Sequence, residues 1–367
     1  PFFYVKNYYT THESRIWLRK DKPMTVAPSS VPVPDYYADI PIVREGIARK
    51  YSNIEALDKE VGVLIDQLEA DGVMENSVIF FWSDHGGNLL RQKRAVGNSG
   101  LHVPLIIRYP DGYRAGETES RMVSLMDLGP TVMSLIGINP PDYMDGKAFA
   151  GPFEEAQRDY IYGSADRFDE STDMQRSVLD GRYVYIKNFM PELPLIYRNR
   201  YREQIPMNKH LIELDAEGKL EGDAAYIFMK TKPQEELYDL KNDPYEVHNL
   251  ANDPAHAEKL KFLRSQLSQW QASIKDRGFT PESEIIREFW PDMIQPVTAD
   301  VKIQQQNNTI VLSCATEGAS IAYQLSDAIG TDYWQLYSKP LLLLPQEKIS
   351  TRAIRIGYKA SNITFKN

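Results

Sequence analysis

Apolar residues recur at helical spacing across residues 37–71, at Ile47, Ile54, Leu57, Val61, Leu64, Ile65 and Leu68, and Gly72 follows where a left-handed residue commonly ends a helix. One long amphipathic helix is expected there. The pattern then changes period. Ser77-Val78-Ile79-Phe80-Phe81-Trp82 is short, continuous and rich in β-branched and aromatic residues, which predicts a parallel strand buried on both faces. Residues 103–107 and 122–125 read as two further strands, a short helix is expected from about Asp127 to Ile136, and Pro1-Phe2-Phe3-Tyr4-Val5 reads as a strand already under way. Strand and helix alternate, so residues 1–149 are expected to form part of an α/β sheet.

The texture changes twice more. Between 150 and 280 the strand candidates are aromatic (159–162, 183–186, 236–239) and a helix is expected over about 254–275, which together suggest a small antiparallel sheet with a C-terminal helix. After Trp290-Pro291, residues 295–367 alternate polar and apolar positions in short runs (309–313, 320–325, 348–354) with turn residues at about ten-residue spacing, the pattern of an all-β, immunoglobulin-like sandwich.

Composition removes several classes of function. No apolar run approaches the roughly 20 residues that a membrane-spanning helix needs. With 42 Lys+Arg against 51 Asp+Glu the net charge is −9, so no nucleic-acid partner is expected, and any polyanion must be met by a local basic patch. Cys314 is the single cysteine and can form neither an internal disulfide nor a cysteine-based metal cluster. It lies in a strand candidate, where a buried, inert thiol is expected.

Candidate chemistry gathers after the first buried strand. Asp84-His85-Gly86-Gly87 stands at a carboxyl end, where open α/β sheets bind ligands, and it offers a hard oxygen beside an imidazole nitrogen with glycines that let backbone approach. The plainer reading makes Asp84 a turn cap and His85 a satisfied polar residue. His12 and Lys93 carry similar alternatives, a strand-end histidine and one more solvated lysine.

Taken in order, Pro1-Phe2-Phe3-Tyr4-Val5, His12, the 37–72 helix, Ser83-Asp84-His85-Gly86, Lys93, Gly100-Leu101-His102-Val103-Pro104-Leu105 and Asp127-Leu128-Gly129-Pro130-Thr131 resemble the second half of the formylglycine-dependent sulfatases of the alkaline phosphatase superfamily. Glu236-Leu237-Tyr238-Asp239-Leu240, Asp243-Pro244-Tyr245-Glu246 and Asn249-Leu250-Ala251 extend the resemblance to about residue 278. It implies hydrolysis of sulfate esters on a carbohydrate, with Asp84 and His85 as two ligands of one divalent cation, usually calcium, and with Lys93 and His12 at the sulfate and the leaving oxygen. His85 departs from the asparagine of many relatives and is similar to the Asp-His pair of two-metal phosphodiesterases, so a phosphodiesterase or phosphonate hydrolase is one alternative and a non-catalytic glycan-binding chain another.

The nucleophile motif, Cys/Ser-x-Pro-x-Arg, is absent from the 367 residues. The chain is therefore expected to be the C-terminal portion of such an enzyme, to need the N-terminal portion as partner, and to be inactive alone. Localisation in the periplasm or outside the cell is expected from the resemblance. For substrate recognition, Arg198 and Arg200 stand among tyrosines in Tyr197-Arg198-Asn199-Arg200-Tyr201-Arg202, a composition suited to sulfated or carboxylated sugars, and Arg167, Arg176 and His102 are further candidates. The final region resembles a chitobiase C-terminal-like β-sandwich, in which Tyr333, Trp334 and Tyr337 are the residues best suited to stack on a glycan.

Overall fold

Proline has no amide hydrogen and a backbone already set for a first helical turn, so Pro41 starts the long helix and Tyr37 lies outside it. The helix α2 (Pro41–Ala70) follows a one-turn helix α1 (Ser14–Leu18) and ends at Asp71, with Gly72 at φ +68. The computed structural model describes residues 2–366. The first half of α2 is its packing half: Val43, Ile47 and Ala48 join Tyr36, Tyr37, Leu89, Leu90, Met207 and Leu211 in one apolar core. Further along, Ile54 is exposed and Leu57, Val61, Leu64, Ile65 and Leu68 are half-buried. Polar groups on the buried half pin the segment before it. Arg49 donates to the carbonyls of Lys20, Lys22 and Pro23, and the Ser52 hydroxyl accepts from the amides of Thr25 and Val26.

The strand after α2 forms as β1 (Ile79–Trp82), but its partner corrects the expected direction. β2 (Leu105–Arg108) pairs with it antiparallel, Ile79 opposite Arg108 and Trp82 opposite Leu105. Parallel strands need a long crossover; here the intervening chain holds only the one-turn helix α3 (Asn98–Leu101) and folds straight back. Neither strand is buried on both faces, and Ile106 is 62% exposed. Two other strand expectations fail. Residues 2–5 are exposed and not in a strand, Pro1 lying outside the described residues, and residues 122–124 lead into a capped turn in which Ser124 and Asp127 bond reciprocally before α4 (Leu128–Leu135).

The antiparallel sheet between 150 and 280 is present, with a strand more than expected. Its order is β3 (Ile161–Phe168), β4 (Ser171–Leu179), β5 (Tyr183–Asn188), β6 (Glu235–Asp239), all antiparallel. Between β5 and β6 come α5 (Pro206–Ala216) and α6 (Gly222–Tyr226), of which α5 packs on α2. One face of the sheet, through Val178, Tyr185 and Leu237, is covered by Leu260, Leu263 and Leu267 of α7 (Ala257–Ser273). Its other face, through Ala165, Val184, Ile186 and Tyr238, receives Val96 from the loop that follows β1. The sheet is thus the floor on which that loop rests.

The chain divides into two compact units, Pro1–Asp276 and Arg277–Asn367. After α8 (Glu282–Phe289) the second is all-β: β9 (Ser320–Leu325) lies between β10 (Gln335–Leu336) and β12 (Ile349–Ile354), with β13 (Thr364–Lys366) beyond β12, while β8 (Thr309–Ser313) lies between β7 (Lys302–Gln306) and β11 (Leu341–Leu342). Ile310, Leu312, Ile321, Tyr323, Ile349 and Ala353 form its core. Cys314 is half-buried and its thiol faces the Ala299 carbonyl. Tyr337 packs against the core and its hydroxyl accepts from the Leu312 amide, which makes it a structural residue.

Candidate active site

Glycine is required where the loop after β1 folds on itself. A Cβ at Gly86 would stand 2.0 Å from the Ser99 carbonyl oxygen and one at Gly100 2.2 Å from the Ala95 oxygen, both backbone atoms. These close approaches let Gly86 N donate to the Gly100 carbonyl and Lys93 N to the Gly87 carbonyl, both at 2.8 Å. The Asn88 side chain donates to the Thr11 carbonyl at 2.9 Å and fastens the segment carrying His12 to the same loop. Residues far apart in sequence are thereby brought to one place.

His85 has a defined tautomer. Its Nδ1 lies 2.7 Å from the Gly86 carbonyl oxygen, which can only accept, so Nδ1 carries the hydrogen and Nε2 presents a lone pair. That Nε2 is 3.6 Å from Oδ1 of the largely exposed Asp84. The two donor atoms are close enough to share one divalent cation, but two are too few to hold it: among the described residues no group of three or more His, Cys, Asp or Glu is arranged around a metal position. His210, His248 and His256 are spent locally, beside Glu213, Asp243 and Asp253.

The tautomer of His12 is the opposite one. Its Nδ1 accepts from the Ser14 amide at 3.3 Å and meets the Ser14 hydroxyl at 2.9 Å, which leaves the proton of the neutral ring on Nε2. Burial lowers the imidazole pKa below 6.5, and the nearby charges of Lys93 and His85 push the same way, against Glu13. Lys93 and His85 are thus each within electrostatic reach of His12.

Glu13 organises the cationic side and belongs to no motif that the sequence displays. Its carboxylate, 2% exposed, takes Lys93 Nζ at 2.9 Å on Oε1 and both terminal nitrogens of Arg94 at 3.1 Å. Burial pushes the Glu13 carboxyl up, yet the hydrogen bonds from Arg94 and Lys93 outweigh it and hold the group below its usual 4.5. Arg94 also reaches Asp169 at 2.8 Å.

The arginine candidates separate. Arg176 is 1% exposed and held by Asp166 and Asp276, each at 2.8 Å, so it is an internal tie within the first unit and is corrected from a substrate contact to a structural residue. Four of its five donors go to these carboxylates and the fifth to the Gln175 carbonyl, so none is left to offer. Arg198 is exposed on a fork with Glu203 at 2.7 Å, Arg200 is exposed with its amide on Glu170, and Arg167 is exposed opposite Thr172 on the β3–β4 hairpin. His102 is exposed at the end of α3. The cavity beside Lys93, about 80 Å³, is walled by Lys93, Arg94, Phe168, Tyr197, Asn199 and Arg202 among others, and His102, Arg167, Arg198 and Arg200 are not in its wall.

Residues 1–138 match the sulfatase family model and residues 86–198 that of the C-terminal region of N-sulphoglucosamine sulphohydrolase. Over these residues the chain is similar to the sulfatase family. It is 39% identical over 360 residues to an ulvan-active sulfatase of Formosa agariphila, covering 97% of this chain and 60% of that protein. It is also 26% identical over 290 residues to N-sulphoglucosamine sulphohydrolase of Homo sapiens, covering 75% and 57%. The chain thus spans about three fifths of these relatives. Among solved structures, a phosphonate monoester hydrolase of Agrobacterium radiobacter aligns with a TM-score of 0.49 at 20% identity, over 69% of this chain and 53% of that one.

Proposed function

We propose that His12, Asp84, His85 and Lys93 are this chain's share of the active site of a sulfuric ester hydrolase that acts on a sulfated carbohydrate. The observation that carries the reading is that His12, distant in sequence, comes beside the loop that carries Asp84, His85 and Lys93, in a chain whose first 198 residues match sulfatase models. The relatives named for ulvan and for sulphoglucosamine support a sulfated polysaccharide or oligosaccharide as substrate.

The chemistry follows from charge. A sulfate ester is anionic, and more charge moves onto the leaving oxygen as the S–O bond breaks. Donors fixed in advance at that oxygen lower the barrier. Lys93 is held by Glu13 at the cavity wall, so its ammonium is positioned before the substrate arrives. His12 offers Nε2–H, and its lowered pKa makes the protonated ring a better proton donor to the leaving group. Asp84 Oδ1 and His85 Nε2 would supply two ligands to a divalent cation, calcium by the family resemblance. When bound, that cation would hold and neutralise sulfate oxygens. The reading requires two further contributions: a nucleophile, which the resemblance implies to be formylglycine and whose motif these 367 residues lack, and further metal ligands, which the described residues do not gather. A polysaccharide substrate also fits action outside the cytoplasm, and no helix of the described residues is long and apolar enough to cross a membrane.

The test is sulfate release from sulfated polysaccharide, measured by ion chromatography on the full-length enzyme. Lys93→Ala and His12→Ala are each expected to lower kcat by about 10²–10³, the usual cost of losing one transition-state donor. Asp84→Ala is expected to abolish activity unless excess divalent cation restores it. Unchanged release by the Lys93 and His12 variants would overturn the assignment.

A further inference from the structure

Buried cations in the first unit are compensated. Arg176 lies between two aspartates, Arg94 between Glu13 and Asp169, and Lys232 on Asp173 at 3.0 Å; Arg49 donates to three carbonyls. Arg202 departs from this. It is 5% exposed, its Nη2 donates to the Tyr197 carbonyl, and its Nε–H, fully buried, has no acceptor. Among the described residues no carboxylate forms an ion pair with it. Burying an unpaired cation is strongly unfavourable, and so is burying an orphaned donor. Burial lowers the guanidinium pKa to about 10, with the charge of Arg94 pushing in the same direction and the charges of Glu13 and Glu203 opposing it without reversing it.

Arg202 stands in the wall of the cavity whose other walls include Lys93 and Asn199. Asn199 is committed: its Oδ1 accepts from the Arg202 amide and its amide group donates to Asp169 at 2.6 Å. Among the described charged residues of that wall, only Arg202 and Glu236 form no ion pair; Glu236 is spent on the Asn188 amide and the Tyr238 hydroxyl, whereas Arg202 keeps a donor with nothing to bond. The space beside these residues, about 80 Å³, has room for an oxyanion group. We propose that this cavity is a second anion site, in which Arg202 receives an oxyanion substituent of the carbohydrate, a carboxylate or a sulfate, other than the ester to be cleaved. The pairing with Lys93 rests on the sulfatase reading; the anion site itself rests on Arg202. It makes Arg202 a specificity residue for polyanionic glycans, which the exposed Arg198 and Arg200 are not.

The test is titration calorimetry on the 367-residue chain with sodium glucuronate, glucose 6-sulfate and glucose, at ionic strength held constant with sodium chloride. One or both anions are expected to bind and glucose is not; which anion binds decides between carboxylate and sulfate. Arg202→Gln is expected to weaken that binding about tenfold or more, the effect of losing one charge-assisted pair, while Arg200→Gln leaves it unchanged. No binding of either anion by the wild-type chain, or equal binding by Arg202→Gln, overturns the proposal. Should that variant not fold, the wild type still decides: selenate diffused into crystals should give an anomalous peak in this cavity, and a peak only elsewhere, an adventitious ion only, refutes the site. If the full-length enzyme fails to release sulfate while glucuronate still binds, the sulfatase reading falls and the anion site stands. Turnover without anion binding overturns the anion site and leaves the sulfatase reading in place.

Discussion

Glu13 keeps two cations in place with one buried carboxylate, so its removal should be felt in stability before it is felt in chemistry. Glu13→Gln leaves Lys93 and Arg94 without their shared counter-charge and is expected to cost about 2–4 kcal/mol at pH 7. The sign of the pH dependence follows from the lowered pKa. A carboxyl held below its ordinary 4.5 contributes stability that is fully present above that value and is lost as pH falls through the folded-state value. Urea unfolding of wild type and variant should therefore show a gap at pH 7 that narrows below pH 4.5. A constant gap would mean that Glu13 acts through packing and not charge. At this scale the sequence was half legible. His12, Lys93, Asp84 and His85 stand in recognisable motifs, whereas Glu13 sits in none and nothing in the Tyr197–Arg202 run sets Arg202 apart from Arg198 and Arg200. Their importance lies in burial and in partners that are distant in sequence or absent, which no local pattern records.

At the level of elements, the folding of the 83–101 loop depends on backbone contacts that exclude side chains, while α2 has slack. Gly86→Ala would drive a Cβ against the Ser99 carbonyl and is expected to destabilise the first unit by about 2 kcal/mol or more, together with displacing Asp84 and His85. Gly62 lies mid-helix in α2 with nothing within 4 Å of its would-be Cβ, so Gly62→Ala should stabilise by about 0.5–1 kcal/mol. Thermal unfolding of the two variants checks both signs, and a stabilising Gly86→Ala would refute the loop argument. The long helix and most strands were legible because periodicity is local. The strand β4 was not: Asp173, Gln175 and Arg176 break its apolar pattern, and each is buried or half-buried only because Lys232, Asn188, Asp166 and Asp276 come to meet it. The direction of β2 was illegible for a related reason, since an apolar run fixes burial but not which way its neighbour points.

For the molecule as a whole, the division at Asp276 and Arg277 separates apolar clusters that differ in kind. Among the described residues those of the first unit join helices, loops and both faces of a four-stranded sheet, and that of the second is the inner faces of two antiparallel sheets. Chains with separate cores commonly unfold in separate steps. Differential scanning calorimetry of the 367-residue chain is therefore expected to resolve two transitions. Ile349 is fully buried in the sandwich, and Ile349→Ala removes three carbons from it at a cost of about 2–5 kcal/mol, enough to lower the midpoint of one transition by several degrees. Leu263 is equally buried between α7 and the four-stranded sheet, and Leu263→Ala should lower the other. Because His12, Lys93 and Arg202 all belong to the first unit, glucuronate or sulfate should raise only the transition that Leu263→Ala lowers. A single transition moved by both substitutions would show that the units fold as one. An anion effect confined to the second transition would place the ligand in the sandwich and remove it from the cavity beside Lys93.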